Sequence, residues 1–326
     1  YVPAVLSRGY ARPRPLEGAV VVSDGARVRA DLDRSGDEPL MLARRLPGAG
    51  VFVAADRYLA GRLAERRFGA TVHILDDGFQ HMGLARDAEI VIVSVADVIE
   101  GAVLPFGRLR EPLEALSRAG AIVIAPEDGE DAGQAERAIL KLHAGPVFRL
   151  RRATGVPRFI DSGLAVDGCG GLLSPQGGTG GRGSATAARG RKAIAVAGIA
   201  VPERFTGDLR RAGWEVAAEV LLGDHEPVTA GLLARIERSL REAGAEVVLT
   251  TEKDAARMLP HRPLRMPVAF VPLEVRPEPE AAFRGWLAGR VSEPLAAARA
   301  DAQDLRMAIG GRQKAGGKPR RGAAGR

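Results

Sequence analysis

The chain has 326 residues, 46% of them hydrophobic, and a formal charge of +7. That length buries a substantial core and suits two domains. No apolar run approaches the ~20 residues of a membrane span, and no charged-then-apolar leader pattern is seen, so a cytoplasmic protein is expected. A single cysteine, Cys169, excludes an internal disulfide and any cluster of thiolate metal ligands.

Nearly all the basic residues are arginines; the lysines are Lys141, Lys192, Lys253, Lys314 and Lys318. Part of the excess charge lies in the tail Arg312–Arg326, rich in Gly, Arg and Lys and expected to be disordered. Nucleic acid and anionic lipid are two readings of such a tail, and an idle solvated tail is a third.

Short β-branched runs alternate with Ala/Leu/Arg stretches of helical period, the pattern of a parallel sheet with crossover helices. In chain order, strands are expected over Val2–Leu6, Val51–Ala55, Val72–Leu75, Glu89–Val95 and Ala121–Ala125, and helices over Glu38–Leu46, Arg57–Phe68 and Pro112–Arg118. Residues 1–146 thus read as one doubly wound α/β domain. Residues 147–190 read as a connector, first the extended run Val147–Phe159 and then the Gly- and Ser-rich stretch Asp167–Gly190, a flexible linker.

A smaller α/β domain is expected over residues 191–290. Ala193–Ala197 is its first strand, Pro202–Ala212 a helix with Pro in the first turn, Val216–Leu222 is strand-like, and Glu246–Leu249 is another strand. Thr250 or Thr251 caps the helix carrying Glu252, Lys253 and Asp254. Val268–Val275 is extended and expected to pair with Val147–Leu150 as a two-stranded bridge between domains. Arg284–Gly289 and the segment after Pro294 read as helical, and residues 291–326 end in the basic tail.

The most informative stretch is Val72–His81, an apolar run that ends in Asp76 and Asp77. Parallel strands deliver such groups to their carboxyl ends, where α/β folds bind ligands. Adjacent carboxylates repel, and a cation such as Mg²⁺ relieves the repulsion; a strand-end Asp holding Mg²⁺ is a recurring part of phosphotransferases. Asp77-Gly78 is also a common turn dipeptide, so locally both readings stand. Gly36-Asp37-Glu38-Pro39 places two carboxylates at a helix start, where Asp37 reads locally as an N-cap. Asp224-His225 follows Val216–Leu222, and a His beside an Asp suits general base work because its pKa lies near neutrality; a surface His in a turn is the alternative.

Leu104–Pro112 is a compact loop with Arg108, Arg110 and Glu111, and arginines so placed clamp phosphate through bidentate donors. Ser7-Arg8-Gly9-Tyr10 adds a strand-end Arg and an aromatic hydroxyl. Singly these are ordinary loop residues. Together Arg8, Asp37, Asp76, Asp77, Arg110 and Glu111 fall after strands or at helix starts, positions that share one edge of a parallel sheet. Acids for a metal and arginines for phosphates on one edge describe phosphoryl transfer. Such a site works with a cradle of the form Gly-x-x-x-x-Gly-Lys-Ser/Thr, and none of the five lysines lies in that frame. Tyr1 opens directly on what reads as a second strand, so the cradle is expected upstream and this polypeptide is expected to be inactive or nearly so.

The ordered set Val5–Tyr10, Gly36–Pro39, Ile74–His81 with Leu84–Asp87, Val103–Pro112, Ala197–Phe205, Gly223–His225 and Leu249–Ala255 resembles the tetraacyldisaccharide 4'-kinase family, between Val2 and Val275. Any one motif is weak, whereas their shared order is specific. The resemblance implies a P-loop NTPase-like kinase domain joined by a two-stranded linker to a smaller α/β domain. It implies transfer of the γ-phosphate of MgATP to the 4'-hydroxyl of tetraacyldisaccharide 1-phosphate, giving lipid IVA in lipid A biosynthesis. Asp76 and Asp77 then match the Mg²⁺-associated pair, and Asp37 and His225 an acid–histidine dyad that activates the acceptor hydroxyl. Arg8, Tyr10, Gln80, Arg110 and Glu111 match residues lining the nucleotide and acceptor sites.

ATP and Mg²⁺ are the expected cofactors and the lipid the expected partner, with neither nucleic acid nor a stable protein partner. A peripheral place at the inner membrane of a Gram-negative bacterium follows from the same resemblance. Domain closure is expected to bring His225 to Asp37. The Gly-rich stretch and the basic tail match nothing in the family. A non-catalytic nucleic-acid or membrane-surface binding protein, and a kinase for another small acceptor, are the competing readings.

Overall fold

In the computed structural model, which describes residues 1–10, 12, 14, 17–162, 190–223 and 226–292, the β-branched runs become strands and most Ala/Leu/Arg stretches become helices. The first part of the chain forms β1 (Pro3–Ser7), β2 (Val20–Asp24), α1 (Leu32–Ser35), α2 (Asp37–Arg45), β3 (Gly50–Val53), α3 (Arg57–Phe68) and β4 (Val72–Leu75). There follow β5 (Ile90–Ser94), α4 (Val95–Glu100), β6 (Ala121–Ala125), α5 (Gly133–Ile139), β7 (Val147–Thr154) and β8 (Arg158–Phe159). The remainder forms β9 (Lys192–Ala197), α6 (Pro202–Arg211), β10 (Glu215–Leu221), α7 (Ala230–Glu242), β11 (Val247–Thr251), α8 (Glu252–Met258), β12 (Val268–Val271) and β13 (Leu273–Glu278). A last helix, α9, covers residues 280–292.

Among the described residues the strands form three sheets, ordered β2-β3-β1-β4, β10-β9-β11-β12-β8 and β13-β7-β6-β5. Parallel pairs dominate: β1 with β3 and β4, β9 with β10 and β11, β11 with β12, and β6 with β5 and β7. β2 and β8 run antiparallel to their neighbours and sit at sheet edges. Two compact units result, one of Tyr1–Leu84 with Arg152–Val275 and the other of Ala85–Arg151 with the residues from Arg276 on. The strands of residues 1–146 are therefore divided between the first sheet and the third.

Period-two alternation explains why the strands read as unbroken apolar runs: both faces are covered. On β9, Ile194 and Val196 face α7 and α8 through Leu232, Ile236, Leu240 and Met258. The intervening Ala193, Ala195 and Ala197 face α6 through Phe205 and Leu209, with Trp214 beside them. The first sheet repeats the device, Ala4 and Leu6 of β1 packing with Ala60 and Ala64 of α3 while Val5 packs on the side of α2 with Ala43. In the other unit, Ala121, Val123 and Phe148 are covered by Phe283 and Trp286 of α9. β4 ends its sheet, and Ile74 on it is half exposed.

The expected strands fall within one or two residues of their places. Two local readings change, one of two alternatives is selected, and further elements appear. Pro112–Arg118 closes as a 3₁₀ turn over Leu113–Arg118. Val268–Val275 divides at Pro272 into β12, which joins the second sheet, and β13, which runs beside β7. Proline lacks the N–H needed to continue one ladder. The cap of α8 is Thr251, whose Oγ1 accepts from the Asp254 N–H at 3.1 Å. α5, α7 and β2 appear where nothing was anticipated. The expected segment after Pro294, the basic tail, Cys169 and residues 163–189 lie outside the described residues.

Ile194 is fully buried between strand and helix. Ile194→Ala is expected to cost about 2–5 kcal/mol of unfolding free energy, measured as a lowered urea midpoint at constant m-value.

Candidate active site

The parallel register of β1 and β4 sets Leu6 opposite Leu75, so the next residue on each strand meets its counterpart. Ser7 Oγ donates to Asp76 Oδ2 at 2.9 Å, and the Asp76 N–H continues the ladder to the Leu6 carbonyl at 3.0 Å. Asp77 then turns the chain out of the strand with φ 51°. Asp tolerates this left-handed region better than most residues, and such conformations cluster at functional positions. The turn foreseen at this dipeptide is therefore present.

Arg57, the first residue of α3, is buried and donates to the carbonyls of Ala54 at 3.3 Å and Ala55 at 3.1 Å, where β3 ends. Burial pushes its guanidinium below the ordinary value and Arg8 adds to that, while Asp76 and Asp77 oppose it. Arg8, Arg57, Asp76 and Asp77 thus share one electrostatic neighbourhood at the carboxyl ends of β1, β3 and β4. Arg57 escaped the sequence reading, although it satisfies the positional rule that selected Arg8: a cation just past a strand.

Tyr10 exposes its ring, and its carbonyl lies against Gly36, where a Cβ would come within 3.3 Å of that oxygen. Gly36 has φ 85° and is the N-cap of α2. The capping role expected of Asp37 therefore falls to Gly36, because glycine accommodates both the positive φ and the close approach. Asp37 is the first helical residue, only 7% exposed, and its Oδ1 accepts from the Glu38 N–H at 2.9 Å. Its Oδ2 lies 3.9 Å from Lys253 Nζ, which is also 3.5 Å from Glu38 Oε1.

Lys253 comes from the second sheet, on the helix that leaves β11. Its neighbour Glu252 pairs with Arg45 at the far end of α2 and accepts from the Leu273 N–H at 3.1 Å, while Arg45 donates to the Leu273 carbonyl at 2.5 Å. Asp254 is fully buried and accepts from the Gly198 N–H at 2.8 Å, the Thr251 hydroxyl at 2.8 Å and Arg257 at 2.9 Å. Arg257 donates in addition to the Glu226 carbonyl. Glu226 closes a turn onto Gly223, its N–H reaching the Gly223 carbonyl at 3.0 Å and its carboxylate taking the Gly223 N–H at 2.7 Å. Asp224 and His225, between these two, lie outside the described residues.

Gln80 is exposed in the turn after Asp77, where the Met82 N–H meets its carbonyl at 3.0 Å. Arg110 and Glu111 belong to the other unit, in the loop after α4; Glu111 pairs with Arg118 at 2.7 Å. Among the described residues no three His, Cys, Asp or Glu side chains form a closed metal cage. Mg²⁺ bound with a nucleotide needs none, since phosphates and waters supply most of its oxygens and one or two carboxylates suffice.

Parallel strands ending in paired carboxylates beside arginines define an α/β protein of the phosphoryl-transfer class. The chain matches the family model of LpxK, tetraacyldisaccharide-1-P 4'-kinase, over residues 1–292. It is similar to the tetraacyldisaccharide 4'-kinase of Syntrophus aciditrophicus, 38% identical over 294 residues, covering 87% of this chain and 74% of that one. The enzyme of the same name from Geobacter metallireducens is 40% identical over 259 residues, covering 79% of this chain and 69% of that one. Among solved structures, the "apo" form of LpxK from Aquifex aeolicus in complex with ATP superposes with a TM-score of 0.64 at 26% identity, covering 89% of this chain and 79% of that chain. The chain belongs to the tetraacyldisaccharide 4'-kinase family, and its fold is the P-loop NTPase-like α/β fold of LpxK.

Asp254→Ala would strand the buried guanidinium of Arg257 and free the Gly198 N–H. The expected loss is about 3–5 kcal/mol, read as a fall in the denaturant midpoint.

Proposed function

We infer that the chain's reaction is transfer of the γ-phosphate of ATP to the 4'-hydroxyl of tetraacyldisaccharide 1-phosphate, giving lipid IVA. The observation that carries this is the meeting of Ser7, Arg8, Arg57, Asp76 and Asp77 at the carboxyl ends of β1, β3 and β4, in a chain of this family.

Asp76 and Asp77 would hold Mg²⁺, which when bound neutralises charge on the phosphate oxygens. The donor set suits it: two neighbouring carboxylates, Asp76 oriented by the Ser7 hydroxyl and Asp77 exposed. Arg8, with Arg57 behind it, supplies positive potential for phosphate at the same edge. Tyr10 and Gln80 contact nucleotide or acceptor on this reading.

A sugar hydroxyl is a poor nucleophile, and a base within hydrogen-bond reach aids its attack. Asp37 and His225 fill that role, His225 taking the hydroxyl proton and Asp37 orienting the imidazole and balancing its charge. Support comes from the flanks of His225: Arg257 fixes the Glu226 carbonyl, and Arg257 lies one helical turn beyond Lys253, which reaches Asp37. The acceptor is a lipid, so the protein works at a membrane surface, peripherally at the cytoplasmic face of the inner membrane. Among the described residues no helix is long and apolar enough to cross a membrane.

In the full-length protein as its gene encodes it, Asp76→Ala is expected to lower ATP-dependent phosphorylation of the disaccharide lipid roughly 10³-fold, and His225→Ala roughly 10²–10⁴-fold. Phosphate transfer from labelled ATP, resolved by thin-layer chromatography, measures both. Unchanged turnover in Asp76→Ala would refute the mechanism.

A further inference from the structure

Lys253 occupies an unusual place for a residue that no step above employs. Its ammonium group, with the side chain 18% exposed, faces both carboxylates of the first turn of α2, at 3.9 Å from Asp37 and 3.5 Å from Glu38. Asp37 itself is buried, and its other oxygen is taken by the Glu38 N–H. One carboxylate oxygen thus meets its own helix and the other faces Lys253, contacts that favour one orientation of the carboxylate.

The neighbours of Lys253 set its reach. Glu252 is tied to Arg45 at the opposite end of α2, a separation of about 13 Å for nine residues at 1.5 Å rise. On the other side Asp254 is buried in hydrogen bonds to Gly198, Thr251 and Arg257. Consecutive side chains therefore hold both ends of α2 from a backbone that cannot drift. The Arg45–Glu252 pair already joins the two helices, so a simple strut has no need of a second, half-buried cation facing the buried Asp37. The position facing Asp37 suits control of that carboxylate.

We propose that Lys253 is a positioning residue for acceptor activation, holding the Asp37 carboxylate in the orientation its partner histidine requires. This rests on the reading of Asp37 and His225 as the acceptor-activating pair. Lys253 acts through Asp37, keeping its charge and direction fixed while the acceptor hydroxyl is deprotonated. Misplacing a catalytic group by about 1 Å costs on the order of 10²-fold in rate, which sets the scale of the effect.

Steady-state kinetics of the full-length protein test this, with ATP and the disaccharide lipid varied in turn. Lys253→Met is expected to lower kcat roughly 10²-fold while both KM values hold, and Lys253→Arg to recover most of the loss. Arg45→Ala, which removes the other tie between the helices, is expected to lower the melting temperature and keep kcat. The proposal is overturned if Lys253→Met retains kcat, if its loss only follows the folded fraction measured by circular dichroism, or if Lys253→Arg is no better than Met. Asp37→Asn and His225→Ala, assayed alongside, separate the two layers. If both keep kcat, the acceptor-activation reading falls and takes the Lys253 proposal with it; if they abolish turnover and Lys253→Met does not, the Lys253 proposal alone falls.

Discussion

β4 hydrogen-bonds to β1 in parallel register, Leu6 opposite Leu75, and the rest of the site follows from that pairing. Parallel strands need crossover helices, so each strand releases the chain on the same edge and each helix starts there. Ser7, Arg8, Arg57, Asp76 and Asp77 owe their proximity to this geometry, though they lie as far apart as 70 positions in sequence. The apolar alternation on β1, with Leu6 toward α3 and Val5 toward α2, locks the register. A slip of one residue would turn both faces inside out and carry Ser7 away from Asp76.

The second sheet repeats this arrangement and directs its strand ends to α2. Magnitudes indicate which of its charges matter for folding. Exposed pairs such as Arg62–Glu65 contribute about 0–1 kcal/mol. Breaking the buried Asp254–Arg257 pair costs several times more, because a desolvated charge is left behind. That pair also holds the Gly198 N–H and the Glu226 carbonyl, so it fixes backbone at the ends of β9 and β10. Gly198 is required by the same packing: a Cβ there would lie 2.9 Å from both Arg257 and Asp254. On the reading proposed for Asp37, adjacent residues divide two tasks, Asp254 serving the fold and Lys253 facing Asp37.

Local pattern revealed most strands, because period-two burial writes itself into the sequence as β-branched runs. It revealed Asp76 and Asp77 for the same reason, the carboxylates ending an apolar run. α7 was legible in principle: Thr229 caps it, and Leu232, Ile236 and Leu240 recur at helical spacing on its buried face. β2 was harder, since Val20–Asp24 is a short antiparallel edge strand behind a loop. Arg57 was legible by the rule that picked out Arg8, whereas Lys253 was illegible for a deeper reason. Its partner Asp37 lies over two hundred residues away, and no local spacing encodes such a meeting. Asp37 read locally as a cap, and its burial beneath Lys253 became visible only once α2 and α8 were placed.

Among the described residues β4 ends the first sheet: Val72–Leu75 pair with β1, and Ile74 is half exposed. A strand at the end of a sheet offers its outer amides and carbonyls as a template for a further strand.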